Sequence, residues 1–289
     1  MRYNSVNMTE PAMVVEPDWL ESRLADDEVR VIDASWYLPD SGRDARAEYA
    51  AAHLPGAVYL DLASDLSDPD APIRNTIAAP AALCEAFASR GIGTDHAIVV
   101  YDRLAGFSAG RIWWALRCAG HRRVGLLDGG FARWQHERRP LTDRVPDFPR
   151  SKFLADPNPR WLANKARVLA VAENAESEVQ IVDARSAARF CGEGPEHTRR
   201  LGHIPGSINV PYDDNLGGDP LRFLGRDELR EIYEAAGVRW DRPVITTCGS
   251  GVTASLTAFA LSWLGHDDVA VYDGSWAEWG DADDTPIEP

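Results

Sequence analysis

Cysteine is scarce in this sequence, and its spacing excludes two common uses of the residue. The 289 residues include only Cys84, Cys118, Cys191 and Cys248. Four thiols in a chain of this length do not make a disulfide framework. No two of them stand in a C-x-x-C pair, so a zinc site is not expected. Walker A and dinucleotide-binding glycine patterns are also missing. We therefore predict neither a metal nor a nucleotide cofactor.

Basic residues are outnumbered, and long apolar segments are absent. The chain has 30 lysines and arginines against 45 acidic residues, a formal net charge of −15. Binders of nucleic acid or of anionic membranes need a basic face, so neither partner is expected. No apolar run approaches the roughly 18 residues of a transmembrane helix. The first twenty residues lack the basic start of a secretory signal. We expect a soluble protein of the reducing cytoplasm.

The chain contains one internal repeat. The tetrapeptide V-I-D-A at 31–34 returns as I-V-D-A at 181–184, and a His-x-Pro-Gly stretch begins 20 residues after each aspartate, at His53 and at His203. The segment 127–134, L-D-G-G-F-A-R-W, returns as Y-D-G-S-W-A-E-W at 272–279. A unit of this length is a domain and not a solenoid repeat. We predict a first domain over 14–139, a proline-rich linker over 140–159 and a second domain over 160–280.

Each copy alternates short apolar runs with longer helical patterns. Such alternation predicts an α/β fold in which each domain is a small parallel sheet with helices on both faces. Predicted strands cover 29–34, 57–60, 97–101 and 124–127 in the first copy, and 179–183, 207–210, 243–247 and 269–272 in the second. Predicted helices cover 81–90, 109–119, 226–236 and 252–264. Ligands of such sheets bind outside the carboxyl ends of the strands.

Nucleophilic chemistry is predicted at the end of the strand over 243–247. That strand leads directly into a loop that comprises Cys248, Gly249, Ser250, Gly251, Val252 and Thr253. The two glycines let the backbone turn and approach a ligand. Successive N–H groups and the start of the following helix then form an anion-binding nest. A thiolate is stabilised in such a nest and is the reactive form of cysteine.

The other cysteines and the first copy receive different interpretations. Cys84 and Cys118 fall in helical patterns and are predicted to be core residues. Cys191 lies in a glycine-rich loop and is a candidate for a redox role, but it is a weaker candidate for reactivity than Cys248. Asp102 occupies the position of Cys248 in the first copy. A carboxylate cannot act as the thiolate does and repels an anion. We predict that the first domain is inactive and supports the second.

The motifs resemble those of the tandem-domain rhodanese sulfurtransferases, the 3-mercaptopyruvate branch in particular. They are Y-x-x-x-H-L-P-G-A at 49–57, D-A-S-W-Y-L-P at 33–39, C-G-S-G-V-T-A at 248–254 and Y-D-G-S-W-x-E-W at 272–279. The resemblance implies two rhodanese-like domains with the active site in the second. It also implies that Cys248 accepts a sulfane sulfur as a persulfide. A thiol, a thioredoxin-like protein or cyanide then removes that sulfur in a ping-pong scheme.

The loop also predicts the donor. The thiosulfate branch has cationic residues after the cysteine, whereas this loop has neutral Gly249 and Ser250. A neutral loop suits a small monoanionic donor such as 3-mercaptopyruvate, and the hydroxyl of Ser250 is a donor for its carbonyl or thiolate. Arg189 matches the family position that holds the carboxylate. Arg111 matches an arginine near the interdomain cleft and is predicted to be either structural or substrate-binding, whereas Arg189 is predicted to bind substrate.

Several positions depart from the family pattern. Thr198 stands where the family has its second substrate arginine, so Arg199 or Arg200 is the predicted substitute. The acid of the family's proton relay is replaced by Ala63. A histidine found a little further on is replaced by Arg74, a cation that favours thiosulfate as an alternative donor.

Three other functions compete with mercaptopyruvate sulfurtransfer. The first is thiosulfate:cyanide sulfurtransfer, and the second is a non-catalytic sulfur carrier or interaction protein. The third is a phosphatase, which needs Cys-x5-Arg to grip phosphate; the sixth residue after Cys248 is Ala254, so this function is the least favoured.

Overall fold

Each half of the chain forms a five-stranded parallel sheet in the computed structural model, which describes residues 11–174 and 176–289. The strand orders are β1-β5-β4-β2-β3 and β6-β12-β11-β7-β8. The first-half strands are β1 (Val14–Val15), β2 (Val29–Asp33), β3 (Ala57–Tyr59), β4 (Ala97–Tyr101) and β5 (Val124–Leu127). The second-half strands are β6 (Leu162–Ala163), β7 (Gln180–Asp183), β8 (Ile208–Asn209), β11 (Val244–Thr247) and β12 (Val269–Tyr272), with the hairpin β9 (Leu216–Gly217) and β10 (Arg222–Phe223) outside the sheet.

Helices cover both faces of each sheet, because successive side chains of a buried strand point to opposite sides. In β4, Ile98 and Val100 pack with one set of helices while Val99 and Tyr101 pack with another. The first-half helices are α1 (Pro17–Glu21), α2 (Ala45–Ala51), α3 (Pro80–Ser89), α4 (Ala109–Cys118) and α5 (Gly130–His136). The second-half helices are α6 (Lys165–Ala172), α7 (Ala187–Phe190), α8 (Arg226–Ala235), α9 (Val252–Trp263) and α10 (Ser275–Trp279). The predicted α/β fold class is confirmed.

The two halves share one hydrophobic core where α4 packs against α9. A Cβ built on Gly110 would lie 2.8 Å from the Cα of Leu256, so the glycine permits the close approach of the two helices. Trp113 meets Phe259 edge to face at 5.2 Å. The residues of this interface belong to a single buried cluster that includes both sheets.

A pseudo-symmetric pair of contacts also joins the halves. The Asp128 carboxylate, after β5, accepts a hydrogen bond from the N–H of Phe223 at 3.0 Å. The Asp273 carboxylate, after β12, accepts one from the N–H of Ile77 at 2.7 Å. These aspartates are the corresponding residues of the repeated Asp-Gly motif. Each half therefore places a backbone segment over the carboxyl-terminal end of the other half's sheet.

The segment between the halves runs along the first of them. His53 and Thr142 exchange two backbone hydrogen bonds at 2.8 and 2.9 Å, and Phe153 is buried in the shared core. No strand or helix was predicted over 140–159, and the 3-10 turn Pro159–Trp161 begins at its end. The exact boundaries of the two domains stay a prediction.

Candidate active site

Cys248 follows β11 immediately and lies in the turn before α9. Its side chain is only 2% exposed. Gly251 caps α9 with φ of 75°, in the left-handed region that glycine adopts without strain. A Cβ at this position would also lie 2.7 Å from the carbonyl oxygen of Asp273. The loop therefore needs glycine at 251 for its backbone conformation and for its space.

The N–H groups of the loop fall into two sets. Those of Cys248 and Gly251 donate to the hydroxyl of Ser275, each at 3.1 Å. The other four, at Gly249, Ser250, Val252 and Thr253, have no hydrogen-bond acceptor within 11–174 and 176–289. Four such N–H groups at the start of a helix form a cradle that stabilises negative charge.

The carbonyl side of the loop is held by α10. The N–H of Trp276 donates to the carbonyl of Cys248, and that of Ala277 to the carbonyl of Gly249, both at 2.9 Å. The Ser275 hydroxyl donates to the carbonyl of Tyr272 at 2.7 Å and lies 4.0 Å from Cys248 Sγ. The carbonyl oxygens of Cys248 and Gly249 are thus engaged on the α10 side, which keeps their partial negative charge off the cradle.

Arg189 lies at the loop. A Cβ built on Gly249 would be 2.7 Å from its Nη2 atom. Two hydrogen bonds of 2.8 Å, from Nε and Nη2, fix the guanidinium on the Glu196 carboxylate. Arg185 donates to the same carboxylate at 3.0 Å and is itself buried on Asp183. Glu196 thereby anchors the cation that faces the loop, and the contacts of Arg185 are structural.

Arg199 is directed elsewhere. Its side chain is 60% exposed, and its guanidinium pairs with Asp283 at 2.8 Å on the segment after α10. Its N–H donates to Asp281 at 2.7 Å. Thr198 packs against Gly280, so this stretch is tied to the chain terminus. The structure does not bring Arg199 together with Arg189 and Cys248.

Arg111 lies beneath the loop and not in front of it. The guanidinium is 3% exposed in the side chain and forms an ion pair with Asp273, with 2.6 Å between Nη2 and Oδ1. It also donates to the carbonyls of Gly251 and Asn75. These acceptors occupy the guanidinium, which favours the structural role over the substrate-binding one among the two alternatives predicted for Arg111.

The acid missing at Ala63 has no local replacement in the turn around it. The Asp61 carboxylate accepts the N–H groups of Ala63 and Ser64, at 2.8 and 3.1 Å. The Asp65 carboxylate accepts the N–H of Asp61 at 2.9 Å and pairs with Arg90 at 2.7 Å. Both neighbouring carboxylates therefore serve the turn itself.

In the first copy, Asp102 fills its own backbone cradle. Its fully buried carboxylate accepts four N–H groups between 2.7 and 2.9 Å, from Leu104, Gly106, Ser108 and Ala109. The corresponding loop of the second copy holds a thiol and leaves its inner N–H groups without an acceptor. The first loop thus contains a permanent anion, the Asp102 carboxylate. The Cys248 loop instead has inner N–H donors that are able to stabilise an anion formed during a reaction.

The remaining cysteines lie in separate places. Cys84 is buried in α3, and burial raises the pKa of its thiol. Burial also raises the pKa of Cys118, at the end of α4, far above its usual range. Cys191 is exposed just after α7. The core role predicted for the first two agrees with these positions.

Three residues of the site were missed by the sequence reasoning: Glu196, Asp273 and Ser275. Glu196 lies seven residues after Arg189 and gives no local pattern. Ser275 offered a signal, because its motif repeats in the first copy with Gly130 in its place. The comparison of the two copies marks the serine as specific to the half that holds Cys248.

Within 11–174 and 176–289, no group of three or more His, Cys, Asp or Glu side chains is arranged to hold a metal ion. In the same residues, no helix has the length and apolar character needed to cross a membrane.

Comparison with known proteins identifies close relatives along almost the whole chain. The model of the Rhodanese-like domain matches residues 16–137 and 168–282. The 3-mercaptopyruvate sulfurtransferase of Escherichia coli strain K12 is 38% identical over 278 residues, which are 95% of this chain and 97% of that protein. The thiosulfate sulfurtransferase of Bos taurus is 38% identical over 276 residues, covering 92% and 91% of the two chains.

Solved structures agree with this match. The crystal structure of SseA, a 3-mercaptopyruvate sulfotransferase of Escherichia coli, superposes with a TM-score of 0.83 at 37% identity, covering 92% of this chain and 99% of that one. The Tum1 protein of Saccharomyces cerevisiae gives a TM-score of 0.84 at 26% identity, covering 93% and 94%.

Proposed function

Because the chain belongs to the rhodanese family and is a tandem-domain sulfurtransferase, we propose that its Cys248 carries sulfur from 3-mercaptopyruvate to a thiol or to cyanide. The observation that carries this proposal is the placement of the Arg189 guanidinium, 2.7 Å from where a Cβ of Gly249 would lie. A donor whose sulfur meets Cys248 then has its carboxylate within reach of a fixed cation.

The first half-reaction loads the cysteine. The Cys248 thiolate attacks the sulfur of mercaptopyruvate, the new S–S bond forms and the C–S bond of the donor breaks. The electron pair of that bond stays on carbon as the enolate of pyruvate, which takes a proton to give pyruvate. The four inner N–H groups of the loop stabilise the thiolate and then the persulfide.

The second half-reaction unloads it. An acceptor thiolate or cyanide attacks the outer sulfur, and the Cys248 thiolate leaves with the electron pair of the S–S bond. The products are a persulfide or thiocyanate, and the enzyme returns to its first state. Two half-reactions through one covalent intermediate give ping-pong kinetics.

The side chains have distinct roles in this scheme. Arg189 binds the carboxylate of the donor, held in place by Glu196. Ser250, in the half-exposed part of the loop, donates its hydroxyl proton to the donor carbonyl as the enolate forms. Gly249, Gly251, Val252 and Thr253 contribute backbone, and neither a metal nor an organic cofactor takes part.

The first domain has no thiol at the corresponding position, since Asp102 fills that cradle. We propose that it supports the second domain and is itself inactive. The acceptor is a small thiol, a thioredoxin-like protein or cyanide. Free, buried Cys84 supports a reducing compartment as the site of action, which we take to be the cytoplasm.

Steady-state sulfur transfer tests the proposal, with the protein and its Cys248→Ser variant assayed side by side on 3-mercaptopyruvate and on thiosulfate. We expect a much higher kcat/KM for mercaptopyruvate and no transfer by the variant. Mass spectrometry after donor alone should show one added sulfur on the peptide that contains Cys248.

The other outcomes separate the competing functions. A higher kcat/KM for thiosulfate would overturn the donor and point to exposed Arg74 as the cation that selects it. Transfer that survives Cys248→Ser would overturn the mechanism. A Cys248 persulfide that forms without turnover would favour a sulfur carrier.

A further inference from the structure

Arg111 belongs to the first domain, yet its guanidinium supports the active loop of the second. It extends from the first turn of α4, stacks over Trp114 at 4.4 Å and forms the buried ion pair with Asp273. Its Nη1 atom donates to the carbonyl oxygen of Gly251 at 3.3 Å. Its Nη2 atom donates to the carbonyl of Asn75. One side chain thus joins two segments of the first domain to the loop.

The carbonyl of Gly251 determines where the next N–H points. In a trans peptide the C=O and the following N–H lie in one plane and point in opposite directions. When Arg111 holds the Gly251 carbonyl beneath the loop, the N–H of Val252 is therefore directed toward the loop interior. That N–H is one of the four without an acceptor.

The other face of Gly251 is held as well. Its own N–H donates to Ser275, and a Cβ would lie 3.0 Å from Arg111 Nη1 and 3.0 Å from Asp273 Oδ1. The Ser255 hydroxyl also donates to the Gly251 carbonyl, at 2.8 Å. Of these three supports, only the Arg111 guanidinium comes from the first domain.

The first copy lacks this arrangement. Asp128 corresponds to Asp273, but its cation is Arg133 of its own domain, at 2.5 Å. Arg133 also pairs with Glu16 and Glu137, and its side chain is 15% exposed. The first loop is organised by the Asp102 carboxylate, and the guanidinium that pairs with its Asp128 comes from its own domain.

We propose that Arg111 is a positioning residue, supplied by the inactive domain, that keeps the Val252 N–H directed into the interior of the Cys248 loop. This inference deepens the proposed function and rests on Cys248 as the nucleophile. It gives the first domain a direct part in catalysis, through one buried guanidinium.

The test compares Arg111→Met, Asp273→Asn, the double variant and Arg133→Met as the matched control. Each is measured for kcat and KM on 3-mercaptopyruvate, for the alkylation rate of Cys248 by iodoacetamide without substrate, and for its urea midpoint. In Arg111→Met we expect kcat and the alkylation rate to fall together by about 10-fold or more, with KM within about twofold. Arg133→Met loses an ion pair on the corresponding aspartate and should change neither rate.

The double variant separates positioning from general stability. Arg111→Met alone leaves a buried carboxylate without its cation, and Asp273→Asn removes that carboxylate charge. We expect the double variant to recover its urea midpoint while kcat and the alkylation rate stay low, because the Gly251 carbonyl still lacks the Arg111 guanidinium and keeps only the Ser255 hydroxyl, of its own domain, as a donor. Recovery of both rates together with stability would overturn the proposal.

Two further results would also contradict it. A rise in KM with an unchanged alkylation rate in Arg111→Met would show that Arg111 binds the donor. Equal losses of rate in Arg133→Met would show a nonspecific effect of losing an ion pair. Turnover by Cys248→Ser would instead contradict the proposed function, while alkylation, mapped to the Cys248 peptide, would still report on Arg111.

Discussion

The hydroxyl of Ser275 lies 4.0 Å from the sulfur of Cys248 and accepts the N–H of that same cysteine at 3.1 Å. Ser275 has φ of 49°, in the left-handed region, which costs a residue with a Cβ about 1–2 kcal/mol. Gly130 takes the corresponding place in the first copy, with φ of 52°. The active half therefore keeps a strained serine where the other half has a glycine.

Two substitutions of Ser275 should lower kcat equally but differ in their free energy of unfolding. Ser275→Ala and Ser275→Gly both remove the acceptor for two loop N–H groups, so kcat should fall about 10-fold in each. Only the glycine variant also relieves the backbone strain, so its free energy of unfolding should exceed that of the alanine variant by about 1 kcal/mol. Urea denaturation and steady-state kinetics measure both. A wild-type kcat in Ser275→Ala would show that the hydroxyl does not organise the loop.

Substitutions of Arg189, at the Cys248 loop, and of Arg199, which pairs with Asp283, should have different effects on donor binding. Arg189→Met removes the cation at Gly249, and we expect KM for mercaptopyruvate to rise by about 10- to 100-fold with a smaller change in kcat. Arg199→Met is the matched control and should stay within about twofold, since its guanidinium pairs with exposed Asp283. Initial rates over a range of donor concentrations give both constants. An equal rise in KM in the two variants would assign donor binding to Arg199 as well.

Gly249 tests how close Arg189 must come. Its backbone is outside the left-handed region, so Gly249→Ala adds a methyl group without backbone strain. That methyl would lie 2.7 Å from Arg189 Nη2, and the flexible guanidinium must move away. We expect a rise in KM of about 10-fold with an unchanged alkylation rate of Cys248. A fall in the alkylation rate would indicate that the loop, and not the arginine, had moved.

The elements with strong patterns were predictable from the sequence. The predicted strand over 97–101 coincides with β4, because it is a continuous apolar run. The predicted helix over 109–119 extends one residue beyond α4, because its apolar residues recur at helical spacing. β1 and β6 were missed, since two residues each show no period. The Cys248 loop was predictable because its nucleophile and its glycines are contiguous in the sequence, directly after an apolar strand.

The surroundings of that loop were not predictable in the same way. Arg111 is 140 positions from Gly251 along the chain, and whether it meets substrate or backbone depends on how two domains pack. Arg199 follows Thr198, where the family pattern expects an arginine, but the ion pair with Asp283 depends on where the chain terminus lies. Such choices are made by tertiary contacts that no local pattern records.

Stability should depend on pH through His121. Burial lowers the pKa of this histidine to about 4, below the value of 6.5 for the unfolded chain. The unfolded state therefore takes up a proton first as the pH falls, so stability is retained above about pH 6.5 and decreases toward pH 4 by up to about 3 kcal/mol. His121→Gln keeps a donor for the carbonyl of Arg123 and cannot titrate. Urea midpoints of both proteins across this range should diverge as the pH falls; parallel curves would contradict the assignment.

Asp102 should matter for folding and not for sulfur transfer. In Asp102→Asn an amide nitrogen replaces one carboxylate oxygen, so it faces N–H donors that had an acceptor. Each carboxylate oxygen of Asp102 accepts two backbone N–H groups. Since a buried donor without an acceptor costs about 1–3 kcal/mol, we expect Asp102→Asn to lower the free energy of unfolding by about 3 kcal/mol. The kcat of the folded fraction should stay within about twofold, because the substitution lies in the loop that has no thiol. Urea denaturation and active-site titration with iodoacetamide give the two quantities separately. A loss of kcat without a loss of stability would show instead that the first loop acts on the second across the α4–α9 interface.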